Sequence, residues 1–147
     1  MIQTSARSKP RRYVLDANAV IGLVEDRPVT AMRVRRLLEE AFRADLQLLL
    51  SAVNWGEVFY IAWRQHGEIK AREVEASLRR FPIVVIPADL DRATRAAAIK
   101  QKHNLGYADA FAAELAIDRA AWLVTADPEF SKLGKALAVY PLPRHEK

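Results

Sequence analysis

Short apolar runs alternate with helical stretches along the whole of this chain, and that alternation limits the folds open to it. The runs are Tyr13-Val14-Leu15, Leu46 to Leu50, Ile83-Val84-Val85-Ile86, Trp122-Leu123-Val124-Thr125 and Leu137 to Tyr140. Runs this short, rich in β-branched and aromatic residues, read as strands, the last of them as an edge strand. After the first, a short helix is expected over 19–25, closed by Pro28. From Thr30 the residues Ala31, Val34, Leu37, Leu38, Ala41 and Phe42 share one face of an amphipathic helix. Ser51 stands where an N-cap would open a helix over 52–66, with Gly67 as its stop, and another helix follows over 68–80. Asp89 caps a helix running to His103, Asn104-Leu105-Gly106 breaks it, and an alanine-rich helix spans 107–120. Strands separated by helices call for a parallel sheet, right-handed crossovers and helices on both faces. The expected class is α/β, with a central parallel sheet of four to five strands.

The 147 residues are 51% apolar, enough for one domain with one real core. There is no cysteine, which excludes a disulfide framework and a thiolate zinc site and suits a reducing, cytoplasmic setting. The only histidines are His66, His103 and His145, too few for a His-rich metal site. A metal held here would have oxygen ligands, which points to a hard cation, Mg²⁺ or Mn²⁺. The net charge of +5 favours a polyanionic partner such as nucleic acid. No apolar run approaches the roughly 20 residues that span a bilayer. The opening MIQTSARSKPRR lacks the apolar segment of a signal peptide and reads as a basic, flexible tail over 1–12. No repeat or linker divides the remainder, so 13–147 reads as a single domain.

Four acidic residues stand out by position. In open parallel sheets ligands bind beyond the carboxyl ends of the strands. Asp16 directly follows the first strand and Asp127 lies just past the fourth, so they meet if those strands are neighbours. Glu57 has Val53, Asn54, Tyr60 and Ile61 at helical spacing, and Asp109 has Ala112, Ala113 and Ala116. Both acids therefore lie on or beside a packed helix face. A lone buried carboxylate is costly unless paired or coordinating a metal. Local roles exist for three of the four: Asp16 as a helix cap, Asp109 in a favourable first turn, Asp127 before Pro128 in a turn. Glu57 has no such role, and one shared cause explains the four better than separate ones.

The segments carrying these acids resemble the motifs of the PIN-domain ribonuclease family. Val14-Leu15-Asp16-Ala17-Asn18-Ala19-Val20 is similar to the first motif, and Ser51-Ala52-Val53-Asn54-Trp55-Gly56-Glu57-Val58 to the second. Tyr107-Ala108-Asp109-Ala110-Phe111 resembles the third, and Val124-Thr125-Ala126-Asp127-Pro128-Glu129-Phe130 the fourth. All four occur in order across nearly the whole chain. Size and organisation are most similar to VapC-type toxins of toxin–antitoxin pairs. The resemblance implies a three-layer α/β/α sandwich, with Asp16, Glu57, Asp109 and Asp127 as catalytic residues ligating Mg²⁺ or Mn²⁺, and Asn18 and Thr125 supporting them. It implies an endoribonuclease with an RNA substrate, an antitoxin partner and a homodimer.

Arg11 and Arg12, and Lys100 and Lys102, are candidates to meet RNA phosphates; for each, a solvated charged face is an equal alternative, and Arg33, Arg35 and Arg36 are just as open. His103 reads as a solvated helix end. Trp55, Phe59 and Trp63 form a stripe for core packing or, if exposed, for a partner. Other readings stay open: an RNA-processing nuclease outside a toxin–antitoxin pair, a DNA nuclease, or a non-catalytic RNA-binding or receiver-like module. A receiver would need a lysine after a late strand, and none follows Thr125 at that place.

Overall fold

The structure is a computed structural model that describes residues 11–144 and 146. Positions 1–10 of the expected tail and His145 lie outside the described residues. Five strands form one parallel sheet: β1 (Arg11–Leu15), β2 (Leu46–Ser51), β3 (Ile83–Ile86), β4 (Trp122–Thr125) and β5 (Val139–Pro141). Their spatial order is β3-β2-β1-β4-β5. The helices are α1 (Ala17–Val24), α2 (Pro28–Phe42), α3 (Ala52–His66), α4 (Glu68–Leu78), α5 (Leu90–His103) and α6 (Tyr107–Asp118). A 3₁₀ segment, Pro128–Ala136, links β4 to β5.

Side chains alternate across the sheet and divide the core in two. Tyr13, Leu15, Leu48 and Leu50 face one way and pack under α1 to α4. Val14, Leu49 and Leu123 face the other way, under α6 and the 3₁₀ segment. The expected three-layer α/β/α sandwich is the observed fold. Among the described residues, no helix is long and apolar enough to cross a membrane.

Two boundaries differ from expectation for clear reasons. Pro28 does not close the first helical region; it opens α2, because a residue without an N–H fits the first turn of a helix. β1 begins at Arg11, so Arg11 and Arg12 belong to the sheet rather than to a tail. The 3₁₀ segment was not anticipated, since its three-residue turn leaves no 3.6-residue periodicity to read.

The aromatic stripe of α3 is mostly packed. Trp55 and Phe59 lie against the core, with the guanidinium of Arg79 over the Trp55 ring and that of Arg72 over the Phe59 ring. Trp63 is more exposed and meets Phe59 edge to face.

α6 is tied to α5 by a buried carboxylate. Glu114 is 2% exposed and takes Arg92 at 3.2 Å and Arg95 at 2.9 Å, while Arg92 also reaches Asp118 at 3.1 Å. Removing Glu114 leaves Arg92, whose side chain is 11% exposed, with only the half-exposed Asp118 to offset its desolvated charge. Glu114→Ala is therefore expected to destabilise the fold by about 3 kcal/mol, read as a lower urea midpoint at unchanged slope. A loss under about 1 kcal/mol would place this cluster among ordinary surface ion pairs.

Candidate active site

Chain connectivity explains why acids collect at one edge. The path from β1 through β2 to β3 builds the sheet in one direction; β4 then returns to the other side of β1. The carboxyl ends of β1 and β4 thus flank the point where the winding reverses, the usual place for a ligand in such sheets. The Asp16 N–H donates to the Val124 carbonyl at 3.0 Å, extending the pairing of β1 and β4 one residue past the strand. The two strands are neighbours, as the placement of Asp16 and Asp127 requires.

Asp16 is 2% exposed. Its Oδ1 accepts from the Ala17 N–H at 2.8 Å, capping α1, and its Oδ2 accepts from the Thr125 hydroxyl at 2.8 Å. Thr125 Oγ1 in turn accepts from Asn18 Nδ2 at 3.3 Å and from the Asp127 N–H at 3.0 Å. Asn18 Oδ1 accepts from the Ala126 N–H at 3.2 Å. Asn18 and Thr125 therefore stitch the start of α1 to the end of β4 and hold Asp16 between them. Asp127 caps the 3₁₀ segment, its Oδ1 accepting from the Glu129 N–H at 2.9 Å. The capping roles of Asp16 and Asp127 are real, and they fix both carboxylates at the sheet edge.

Glu57 and Asp109 approach from helices. Glu57 is half-buried on α3 and accepts from Asn54 Nδ2 at 3.2 Å. Asp109 lies in the first turn of α6, close over Gly106; a Cβ there would stand 3.2 Å from Asp109 Oδ2. Among the described residues, no cation forms an ion pair with Asp16, Glu57, Asp109 or Asp127. The contrast with Glu114, on the same helix as Asp109 and held by two arginines, is direct.

The electrostatics follow. Burial pushes the Asp16 carboxyl up from 3.8 to about 7; the Thr125 and Ala17 hydrogen bonds oppose this, and Asp109 and Glu57 reinforce it. Asp109 is pushed up to about 6, chiefly by burial, then by the charges of Asp127, Glu57 and Glu129. Four elements thus bring the predicted acids within one another's field. Glu129 joins them; it lies in the fourth motif but has no mark in the sequence that sets it apart from a solvated acid. Among the described residues, no three acidic or histidine side chains stand close enough to enclose one ion as they are placed.

The basic candidates separate. Arg11 pairs with Glu40 at 2.9 Å and Arg12 donates to the Arg119 carbonyl at 3.2 Å, both at the amino end of β1. With about 3.3 Å of rise per strand residue, they lie well away from Asp16, so the structure does not bring them to the acids. Lys100 and Lys102 sit on the last turn of α5, beside the turn into α6. Lys100 donates to the Leu105 carbonyl at 2.9 Å, which leaves its charge near Asp109's helix start. Lys132, on the 3₁₀ segment, reaches the Asn104 carbonyl at 3.2 Å and pairs with Glu129. Sequence reasoning passed over Lys132 because 28 positions, a helix and a strand separate it from the Asn104 carbonyl it contacts.

A model of the PIN domain family matches residues 13–136. The chain belongs to the PIN domain family. Solved structures share this PIN fold at low identity. DNA-bound VapBC from Salmonella typhimurium is 19% identical, with a TM-score of 0.71 over 89% of this chain and 98% of that one. VapBC2 from Rickettsia felis, bound to a promoter DNA fragment, is 15% identical, with a TM-score of 0.70 over 88% and 98%. VapC20 of Mycobacterium tuberculosis, a sarcin–ricin loop cleaving toxin, is 16% identical, with a TM-score of 0.67 over 83% and 95%. Comparison with curated protein sequences gives no match.

Proposed function

We propose that this PIN domain is a Mg²⁺- or Mn²⁺-dependent endoribonuclease, the toxin of a type II toxin–antitoxin pair. The observation that carries the proposal is the mutual electrostatic influence that links Asp16, Glu57, Asp109 and Asp127, none paired with a cation among the described residues, with Asp16 at the switch point between β1 and β4. Likeness to VapBC structures supports an antitoxin partner, and the named activity of VapC20 supports RNA as substrate.

The donor set suits a hard divalent cation. It is oxygen only, and it contains a carboxylate 2% exposed whose two hydrogen bonds only partly offset its burial. Asp16 and Asp109 would be the principal ligands, with Glu57 and Asp127 completing the set or holding its waters. When bound, the cation supplies a water acidified enough to attack at neutral pH and neutralises charge on the phosphate and leaving oxygens.

The chain's own residues do the rest. Asp16, fixed on both oxygens, gives the centre a rigid origin. Thr125 and Asn18 keep it aimed, as outer hydrogen bonds do for metal-binding carboxylates. Lys100 and Lys132, which donate to carbonyls of the turn before α6, and Lys102 on the last turn of α5 would draw in the phosphate backbone. No histidine is needed as base.

The expected result is cleavage of single-stranded RNA with Mg²⁺ or Mn²⁺ and none in EDTA, restored by added metal. Undiminished cutting in EDTA would defeat the proposal; equal cutting of DNA would change the substrate assignment. Co-expression with the product of an adjacent reading frame should suppress the activity if the chain is a toxin.

A further inference from the structure

Asn54 is fully buried in the first turn of α3, and its Oδ1 has no hydrogen-bond partner among the described residues. An unpaired buried acceptor lowers stability, so a polar residue at that position needs another explanation. The other end of the same amide supplies one. Nδ2 donates to Glu57 Oε2 at 3.2 Å and to the Ala108 carbonyl at 3.2 Å. One nitrogen thus holds a carboxylate on α3 and the backbone immediately before Asp109 on α6. Ala108 lies in the first turn of α6, where its carbonyl also has the ordinary helical partner ahead of it. The bond from Asn54 is an addition that fixes α6 against α3 at the residue where position matters.

We propose that Asn54 is a positioning residue for the metal centre, setting the separation and aim of Glu57 and Asp109 through the two bonds of its amide. The inference rests on the metal-dependent reading above. No other side chain among those described ties α3 to α6 by hydrogen bonding at this edge. Leu has the branched heavy-atom skeleton of Asn and no polar atoms, but its two methyls are bulkier than the amide. In Asn54→Leu the orphaned acceptor disappears, Ala108 keeps its helical bond and half-buried Glu57 regains water. The fold should therefore be kept, with a melting temperature near that of the wild type, the removed orphan offsetting the crowding by the larger side chain. The metal centre should not: outer-shell partners of metal ligands typically contribute 10- to 100-fold in affinity.

The test is Mn²⁺ titration of the full chain, followed by loss of the free-ion EPR signal, with circular dichroism to establish folding. Wild type, Asn54→Leu, Asn54→Ala and Glu57→Gln are compared, along with the Asn54→Leu/Glu57→Gln pair. Mn²⁺ affinity should fall about 10- to 100-fold in Asn54→Leu while the melting temperature holds, and the loss should shrink in the Glu57→Gln background. Wild-type affinity in Asn54→Leu, or a lowered melting temperature with affinity intact, would make Asn54 merely structural and leave the metal reading standing. Absence of Mn²⁺ binding by the wild type would instead remove the metal reading, and this inference with it. Asn54→Ala supplies the same comparison if the leucine does not pack.

Discussion

Asp16→Asn should lower the single-turnover rate of RNA cleavage by about 10³-fold, roughly 4 kcal/mol of transition-state stabilisation, and should raise the stability of the metal-free protein at pH 7.5. The two effects have one source. Asp16 is almost wholly buried, with like charges nearby and no cation paired with it among the described residues, so its ionised form is disfavoured in the folded chain. Neutral asparagine removes that penalty and keeps the acceptor for the Ala17 N–H. An amide NH2 turned toward Thr125 would face a hydroxyl oxygen that already accepts from Asn18 and Asp127, so the Thr125 O–H loses its acceptor and part of the gain is lost. A net gain of about 2 kcal/mol corresponds to roughly 4–8 °C in a chain of this size. Differential scanning calorimetry in EDTA, beside a cleavage assay in Mn²⁺, reads both effects. A variant that cuts normally, or one that melts lower in EDTA, would contradict the account.

Metal-free wild type should lose stability as pH rises from about 5 to 7.5. The carboxyl of Asp16 has an ordinary value of 3.8 and a folded value of about 7. Between these the folded state holds a proton that the unfolded state has released, so raising the pH favours unfolding. The relief given by protonation is complete below the lower value and gone above the higher one. A shift of about three units corresponds to about 4 kcal/mol for Asp16. Asp109 acts in the same direction but is half-exposed, and solvent screening reduces its share. The informative quantity is the difference between wild type and Asp16→Asn, which cancels groups common to both: it should be small at pH 5 and large at pH 7.5. Saturating Mn²⁺ should flatten the wild-type curve, because the cation replaces the proton. A difference independent of pH would mean that Asp16 stays ionised without strain in the apo protein.

Much of this was legible where chemistry punctuates the chain. α3 runs over the expected 52–66 because Ser51 caps it, accepting from the Val53 N–H, and Gly67 at φ 86° ends it. α5 begins after Asp89 and ends at Asn104 in the left-handed region, both readable from residue type. Asp16 and Asp127 were legible because strand ends are local features. Strand order was not, since it is decided by packing between residues a hundred positions apart, as in the pairing of Tyr13 with Trp122. Arg11 and Arg12 misled for the converse reason: neighbours in sequence are distant in an extended strand. Asn54 stood in plain view beside Glu57, but its second bond goes to Ala108, 54 residues on, and no local pattern announces it.

The most direct test is anomalous diffraction from crystals soaked in Mn²⁺. The account predicts one or two peaks beyond the carboxyl ends of β1 and β4, with oxygens of Asp16 and Asp109 within about 2.5 Å of a manganese. Glu57 or Asp127 should be bound directly or through water. Manganese bound elsewhere, or carboxylates left apart at saturating metal, would contradict it.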